Sequence, residues 1–327
     1  MRRSYLFALL SGLLILLLLL HLFNGSWDWD FKTLLKSLTD FDISNTQEVI
    51  FREIRFPRTV TAILAGAGLS IAGLLMQTYF NNSLAGPSVL GISSGSSLFV
   101  ALAVLSGWEL LNTAHSLVFA ALIGAFLFSL LILFFSAFVR SAISLLLIGM
   151  MLGSFTSAVI QVIQLGTHAE RLKSYLLWGF GSLQQNSFEQ LGLFFLVFLL
   201  ACASLIFLIK PLNLLVLGEK QARILGTNIA LNRMILIAVA SVFAGLITAY
   251  CGPISFIGLA VPNVVRQLYR TKDHRYLLLG SALFGAITLL ICDLVIIYVE
   301  PFLLLPLNAI TALIGAPVVV WIILKRF

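Results

Sequence analysis

The stretch FREIRFPRTVTAILAG, residues 51–66, places Arg52, Arg55 and Arg58 directly before a long apolar segment. Basic residues beside a membrane span usually mark its cytoplasmic end. These arginines are therefore either a topological signal or charges that meet a partner on the opposite side of a membrane. The composition and the order of the apolar segments decide between the two.

The composition places the chain in a membrane. Of its 327 residues, 60% are hydrophobic and 10% are charged, and the mean hydropathy is +1.07, whereas soluble domains carry about 25% charged residues. A single soluble core could not bury that much apolar surface, so most of the chain must be solvated by lipid. The net charge of +7 comes from basic residues scattered between apolar blocks. That distribution indicates membrane topology rather than nucleic-acid binding.

The apolar blocks are long enough to be spanning helices, since roughly 20 apolar residues cross a bilayer and a helix satisfies its own backbone in lipid. The N-terminal run is too long for a signal-peptide core and lacks a cleavage site, so it is expected to be an uncleaved span. A short apolar segment after Gly252-Pro253 is expected to be a broken or tilted helix that runs from residue 254 to 268. The other predicted spans lie at about 4–23, 59–80, 91–107, 116–138, 144–165, 191–209, 233–250, 278–297 and 306–324.

About ten transmembrane helices make the fold class an all-α integral membrane protein with one transmembrane domain over residues 1–327. An even number of spans places both termini in the cytoplasm, and the inner loops then carry more Lys and Arg than the outer ones. The loop 24–57 falls outside together with its arginines, against that rule. Because acidic neighbours make this loop net negative, its arginines are candidates for function rather than topology.

The sequence lacks a catalytic constellation. No glycine–lysine pair occurs, which excludes a phosphate-binding P-loop, and no protease or hydrolase motif lies in a suitable context. The chain is therefore predicted not to be an enzyme by itself. The cysteines lie far apart in apolar segments and are expected to be packing residues, with no metal site: Cys202, Cys251 and Cys292. The histidines lie singly in end or loop segments and are expected to be solvated or interfacial: His21, His115, His168 and His274.

Polar and small residues within the spans have structural and functional interpretations. Asp293 is the clearest intramembrane carboxylate, which makes it a functional candidate, but a capping or hydrogen-bonding role is favoured because no proton relay accompanies it. Polar side chains that could line a translocation path are Ser141, Ser144, Ser154 and Gln161. Small residues at four-residue spacing let helices approach closely, within one subunit or across a dimer: Ala62, Gly66 and Ser70, then Gly149, Gly153 and Ser157.

Several stretches occur in a fixed order along the chain: RFPR (55–58), MQTYFNNSLAGP (76–87), GISSG (91–95), WGFGSL (178–183), LGEKQARILG (217–226), GPISFIGLAVPNVVR (252–266), DHRYLL (273–278) and LPLNAITALIGAP (305–317). Together they resemble the FecCD-type permease subunits of ABC importers for ferric siderophores, haem and vitamin B12. The resemblance implies a type II importer permease fold with both termini cytoplasmic. It also implies location in the bacterial cytoplasmic (inner) membrane.

The resemblance implies several partners. Permeases of this family pair with a second copy or a paralogous chain, bind two ATPase subunits, and receive cargo from an extracytoplasmic binding protein. The family's nucleotide chemistry needs ATP and Mg on the ATPase, so no cofactor is expected on this chain. Lipid is the remaining partner, and no nucleic acid is expected.

Two sets of contact residues follow from the resemblance. The cytoplasmic loop 210–233 carries the coupling segment, which the sequence itself predicts to be a short amphipathic helix. Arg55 and Arg58 match the family's outer docking arginines, Arg52 is additional, and local pairing with Glu48 or Glu53 is the alternative. The family arginine at Ile297 is missing, which removes a docking charge and a possible partner for Asp293. The residues predicted to contact the ATPase are Leu217, Gly218, Glu219, Ala222, Arg223 and Gly226.

The sequence leaves the cargo open. A ferric siderophore is expected from its frequency in the family, and haem and cobalamin are alternatives. An ion-coupled secondary transporter is the competing function, and it would require buried ionisable groups such as Asp293.

Overall fold

The computed structural model describes residues 2–23, 44–106, 114–139, 141–184 and 186–324. Every regular element in these ranges is helical, which agrees with the predicted all-α class. The α-helices are α1 (Arg2–Phe23), α2 (Thr46–Val49), α3 (Phe56–Tyr79), α4 (Ile92–Leu105), α5 (Ala114–Phe138), α6 (Ala142–Leu165), α7 (Ala169–Gly179), α8 (Phe188–Leu215), α9 (Glu219–Ile224), α10 (Ile229–Cys251), α11 (Ile257–Tyr269), α12 (His274–Val299) and α13 (Leu307–Leu324).

Seven helices among the described residues are long and apolar enough to cross a membrane, and α4 and α13 are shorter apolar helices. Each predicted span overlaps a helix. The helix α7, by contrast, falls in a segment where no span or helix was predicted. Only 17% of the most apolar window of the first span is buried, so the described part of the chain leaves most of that surface uncovered.

The helix α3 forms the centre of the bundle, and most of its residues are buried. It contacts α12 through glycine, because a Cβ built on Gly66 would lie 2.3 Å from the carbonyl oxygen of Gly285. It contacts α11 in the same way, with a Cβ on Gly73 lying 1.7 Å from the carbonyl oxygen of Gly258. The first small-residue stripe therefore serves packing within the subunit.

The start of α3 is unusual for a helix with an early proline. The residue before a proline generally avoids helical geometry, yet Phe56 is helical and a π-helical turn, Ile50–Arg55, leads directly into α3. The amide of Phe56 donates to the carbonyl of Phe51 in this wider turn, and Pro57 follows as the second residue of α3. Residues 44–57 of the predicted outer loop are thus largely helical, and residues 24–43 lie outside the described ranges.

The predicted break before α11 is present. Gly252 and Phe256 both have positive φ, at +71° and +67°, and α11 begins immediately afterwards. A Cβ at Gly252 would lie 2.5 Å from the carbonyl oxygen of Trp178, so the turn requires glycine. The side chain of Asn308, at the start of α13, accepts a bond from the amide of Ser255 at 3.0 Å and satisfies backbone that the break leaves unpaired.

The three cysteines are unpaired thiols within the helical bundle. Cys251 and Cys292 are buried and Cys202 is half-buried, as expected for packing residues.

Candidate functional site

The coupling segment predicted from sequence folds as the short helix α9. Gly218 precedes it with φ +100° and Gly226 follows it with φ +83°, conformations that favour glycine. The amide of Ala222 donates to the carbonyl of Gly218 at 3.0 Å, and the amide of Thr227 donates to the carbonyl of Ala222 at 3.0 Å. Both ends of α9 are therefore closed by turns, which holds this six-residue helix in one orientation.

The helix α9 presents apolar side chains to solvent. Ile224 is 84% exposed, and Leu217 and Leu225 are also exposed. Charged side chains of Glu219, Lys220 and Arg223 are exposed around them. An exposed apolar centre with a polar rim is the composition of a protein contact surface.

The prediction that Ala222 contacts a partner is wrong. Ala222 is 0% exposed, because α9 packs its buried face on α8 and α10. Ala222 and Ile224 are two residues apart, which is about 200° around a helix, so they cannot share one face. The exposure of Ile224 was not predicted, although counting 100° per residue from Ala222 separates the two side chains. Leu225 is exposed as well, directly after the last residue of α9.

The segment that precedes α9 is joined to α12, and through it to α3, by partly buried hydrogen bonds. Asn213, near the end of α8, donates through Nδ2 to Oδ1 of Asp273 at 3.1 Å. Its Oδ1 accepts from the amide of His274 at 2.8 Å and lies 2.9 Å from Nδ1 of that ring. The other ring nitrogen of His274 hydrogen-bonds with Oγ1 of Thr78, on α3, at 2.9 Å.

Charge and burial fix the orientation of these groups. The backbone amide of Arg275 donates to Asp273 and, as the largest cause, holds the pKa of this carboxyl below its usual value, so the carboxylate is ionised near neutral pH. It therefore accepts from the amide nitrogen of Asn213, which leaves Oδ1 of Asn213 as the acceptor for His274. His274 was expected to be solvated or interfacial, but it is 1% exposed, because it packs against α3 and the end of α8 and is hydrogen-bonded to both.

A polar cleft of about 260 Å³ opens beside this network. Thr78, His274 and Val216 line it, and Arg266 and Lys272 add positive charge. Val216 directly follows α8, so the cleft borders the connection to α9.

A second buried polar cluster lies at the opposite end of α3. Arg58 donates to Asp293 twice, through Nε at 2.7 Å and through a terminal nitrogen at 2.9 Å. Nε2 of His21, on α1, donates to the same carboxylate at 2.6 Å, and its Nδ1 hydrogen-bonds with Thr59 at 2.7 Å. Arg58 is 8% exposed, and Asp293 is 2% exposed.

This cluster corrects three expectations. Arg58 was expected on the outer rim, but its guanidinium is buried because Asp293 holds it by two hydrogen bonds. Asp293 keeps an arginine partner although Ile297 replaces the family arginine. His21 was expected to be solvated or interfacial, and its ring is instead buried where α1 meets α3 and α12. The hydrogen-bonding role favoured for Asp293 agrees with this geometry, and all of these groups lie too far apart in the sequence to be paired by pattern alone.

The other two predicted docking arginines are partly exposed. Arg55 donates to the carbonyl of Leu22 at 3.1 Å. Arg52 lies 3.8 Å from the carboxylate of Glu53 and 4.6 Å from the ring centre of Phe188, so the predicted local pairing is present for Arg52.

A cleft of about 340 Å³ lies near this end of the bundle. Arg58 and Glu300 line it, together with apolar residues that precede α13.

The predicted path residues lie along α6. Ser154 and Gln161 are exposed and two turns apart on one face. Ser144 is half-buried, and its amide donates to the hydroxyl of Ser141 at 3.4 Å, which makes Ser141 the N-cap of α6. Large apolar side chains around Ser154, such as Phe155, are also exposed, so much of the surface of this helix is not covered by the residues that the structure describes.

Comparisons with known proteins agree with the motifs. The model of the FecCD transport family matches residues 13–325. The vitamin B12 import system permease protein BtuC of Shigella boydii serotype 18 is 37% identical over 321 residues, covering 97% of this chain and 94% of that protein. BtuC of Salmonella typhi is 37% identical over 287 residues, or 86% of each chain.

A solved structure shares the fold at the level of the whole chain. It is described as an inward-facing conformation of a metal-chelate type ABC transporter, and it has a TM-score of 0.86 with 31% identity, covering 98% of this chain and 99% of that one. The resemblance seen in the motifs is thus confirmed. The chain therefore belongs to the FecCD transport family, as a multi-pass inner-membrane permease subunit of an ABC importer.

Proposed function

We propose that this chain forms the translocation pathway for a bulky metal chelate and that α9 is its contact with the ATPase subunit. The observation that carries the proposal is the exposure of Ile224. Its apolar side chain is 84% exposed, although the opposite side of the same helix is buried at Ala222. In the proposed topology, with about ten spans and both termini cytoplasmic, α9 faces the cytoplasm, where an ATPase would bind.

The shape of α9 supports a helix-in-groove contact. Ala222 fixes its inner face to the bundle, so Ile224 and Leu225 project as a unit that a groove in the partner can enclose. Exposed Glu219 and Arg223 would form the polar rim of the contact. ATP and Mg would be bound by the partner, whose movements a rigid helix can receive.

The outer end of the molecule would dock a binding protein. Arg52 and Arg55 remain partly exposed before α3 and form a cationic rim for an acidic surface.

A second permease, either a copy or a paralogous chain, would cover the exposed face of α6. It would complete the translocation path past Ser154 and Gln161.

The names of the relatives support a proposal for the class of cargo. The curated relatives bear the name of vitamin B12 permeases, and the similar structure is named as a metal-chelate transporter. Cobalamin, haem and ferric siderophores are all large metal chelates, so we propose this class as the substrate. The ion-coupled alternative depended on Asp293, whose carboxylate is already engaged by Arg58 and His21.

Replacing Ile224 tests the proposed ATPase contact. Ile224→Asp should leave folding intact, because surface changes usually alter stability by about 0.5 kcal/mol or less, and should abolish co-purification of the ATPase. Asn228→Asp, on the same loop and also exposed, is the matched control and should retain the ATPase. Normal association of the Ile224→Asp chain would rule out α9 as the contact.

Uptake measurements test the cargo class. Proteoliposomes that contain the permease, its ATPase and its binding protein should import either labelled cobalamin or a labelled ferric chelate when ATP is present inside. Uptake of an inorganic ion alone, driven by a gradient without the ATPase, would contradict the proposal.

A further inference from the structure

We propose that Asn213, His274 and Thr78 are positioning residues that tie the coupling helix to the central helix α3, so that movement of α9 is passed across the membrane. This inference rests on the proposed contact between α9 and an ATPase. It assigns a function to this partly buried hydrogen-bond network, because the network is not needed for α9 to contact the ATPase.

The first step is the short distance between α9 and the network. Residues 214–218 separate Asn213 from α9, and the amides of Leu217 and Gly218 donate to the carbonyls of Leu214 and Leu215 at 3.0 Å. The connection is therefore turned back on the end of α8 rather than extended. A shift of α9 must displace the end of α8 that carries Asn213.

The second step is the geometry of the network. Asn213 uses both ends of its amide, on Asp273 and on His274, so it holds α8 against the start of α12 in one register. The ring of His274 then bridges Asn213 and Thr78, which lies one residue before the end of α3. Three helix ends are joined by directional bonds rather than by apolar packing alone.

The network is more than a helix cap. Asp273 already caps α12 through the amide of Arg275, and this bond needs neither Asn213 nor His274. Burying an imidazole is costly unless it is hydrogen-bonded, and an apolar side chain could fill the same space. Only His274 is fully buried, and the directional bonds that hold it favour one arrangement of the three helix ends, so we assign them to fixing the register of the helices.

The third step is the stiffness of α3. Its backbone contacts α12 at Gly66 and Gly285 without intervening side chains, and both helices run from the network to the pair of Arg58 and Asp293. A displacement at Thr78 therefore moves two closely packed helices together, and the far end of α3 directly follows Arg52 and Arg55. The inner contact surface and the outer rim are thus parts of one connected body.

The test follows the outer end of α3 when the ATPase binds nucleotide. A nitroxide at Ile54, an exposed residue just before α3, is introduced as Ile54→Cys in a Cys202→Ser background, because the other two cysteines are buried. In the complete permease–ATPase complex, the second permease carries the same label if it is a copy, or a label at the equivalent position if it is a paralogous chain. Spin-label distances between the two permease chains are measured without nucleotide and with ATP plus vanadate. No cargo is needed for this readout.

We expect ATP to change the distance distribution in the parent protein. Thr78→Val, which keeps the shape and removes the hydroxyl, and Asn213→Ala should reduce the ratio of shifted to unshifted populations by about 2- to 30-fold, the range for residues that couple distant sites. Thr78→Ser restores the hydroxyl and should behave as the parent. Thermal unfolding of each variant verifies folding, and Thr78→Val suffices alone if Asn213→Ala does not fold.

The outcomes separate this inference from the proposed function. A normal ATP-dependent shift in folded Thr78→Val and Asn213→Ala, or no shift in the parent, overturns the inference while the ATPase contact stands. Retention of the ATPase by Ile224→Asp overturns the contact itself. Loss of the shift with the ATPase still bound supports both.

Discussion

Arg58 and Asp293 lie 235 residues apart in the chain and form a bidentate ion pair. Each charge is costly in a low-dielectric interior unless the other is present. His21 adds a third hydrogen bond to the carboxylate and ties the lipid-facing α1 to the bundle. At the scale of single residues, this cluster explains why a carboxylate occurs in an otherwise apolar helix.

Removing the carboxylate should destabilise the protein strongly. Asp293→Asn leaves the guanidinium of Arg58 buried beside a neutral amide, and breaking a buried pair in this way costs about 3–5 kcal/mol. Thermal unfolding in detergent measures the loss. The control is Glu53→Gln, because Glu53 is exposed and 3.8 Å from Arg52, and exposed pairs contribute about 0–1 kcal/mol. Equal losses for the two variants would show that the buried pair has no special role.

At the scale of helices, glycine decides which elements touch. The backbone of α3 approaches α12 and α11 because Gly66 and Gly73 carry no Cβ. Other helical glycines have no such neighbour: a Cβ on Gly192, in α8, would meet nothing within 4 Å. Identical residues in the sequence therefore have different roles in the bundle.

A matched pair of glycine substitutions tests the contact between α3 and α12. Gly66→Ala places a methyl group 2.3 Å from the carbonyl oxygen of Gly285, so the helices must separate, and overpacking costs about 1–3 kcal/mol. Gly192→Ala has open space and should stabilise its helix by about 0.5–1 kcal/mol. Unfolding midpoints of both variants should therefore move in opposite directions. A rise in the midpoint of Gly66→Ala would mean that the contact between the two helices is loose.

At the scale of the whole molecule, the two ends of the bundle carry different surfaces. The end that carries α9 exposes Ile224 and Leu225, whereas Arg52 and Arg55 are partly exposed at the other end. A hydrophobic contact depends little on salt, but a contact between exposed charges is screened within about 10 Å at 0.1 M ionic strength. The two proposed partners should therefore respond differently to salt.

Docking of the binding protein should be sensitive to charge. The double variant Arg52→Glu, Arg55→Glu replaces attraction by repulsion and should slow association more than either single change. Titration of the binding protein onto the reconstituted transporter at two salt concentrations measures the effect, and binding of the parent should weaken as salt rises. Arg270→Glu, Lys272→Glu, at the opposite end of the bundle, is the control and should dock normally. Salt-independent docking by the parent would assign Arg52 and Arg55 to the fold alone.

The sequence by itself determined the membrane class, the positions of the spanning helices, the break after Gly252 and the family. Local composition and segment length set those features, because apolar length decides what enters lipid and Gly252, with its positive φ, ends α10. Only the tertiary structure decided the partners of polar side chains: Asp293 with Arg58 and His21, and His274 with Asn213 and Thr78. It also decided that Ala222 is buried while Ile224 projects outward. These outcomes depend on which helices are neighbours and how each is rotated, and both are set by contacts between residues far apart in the chain.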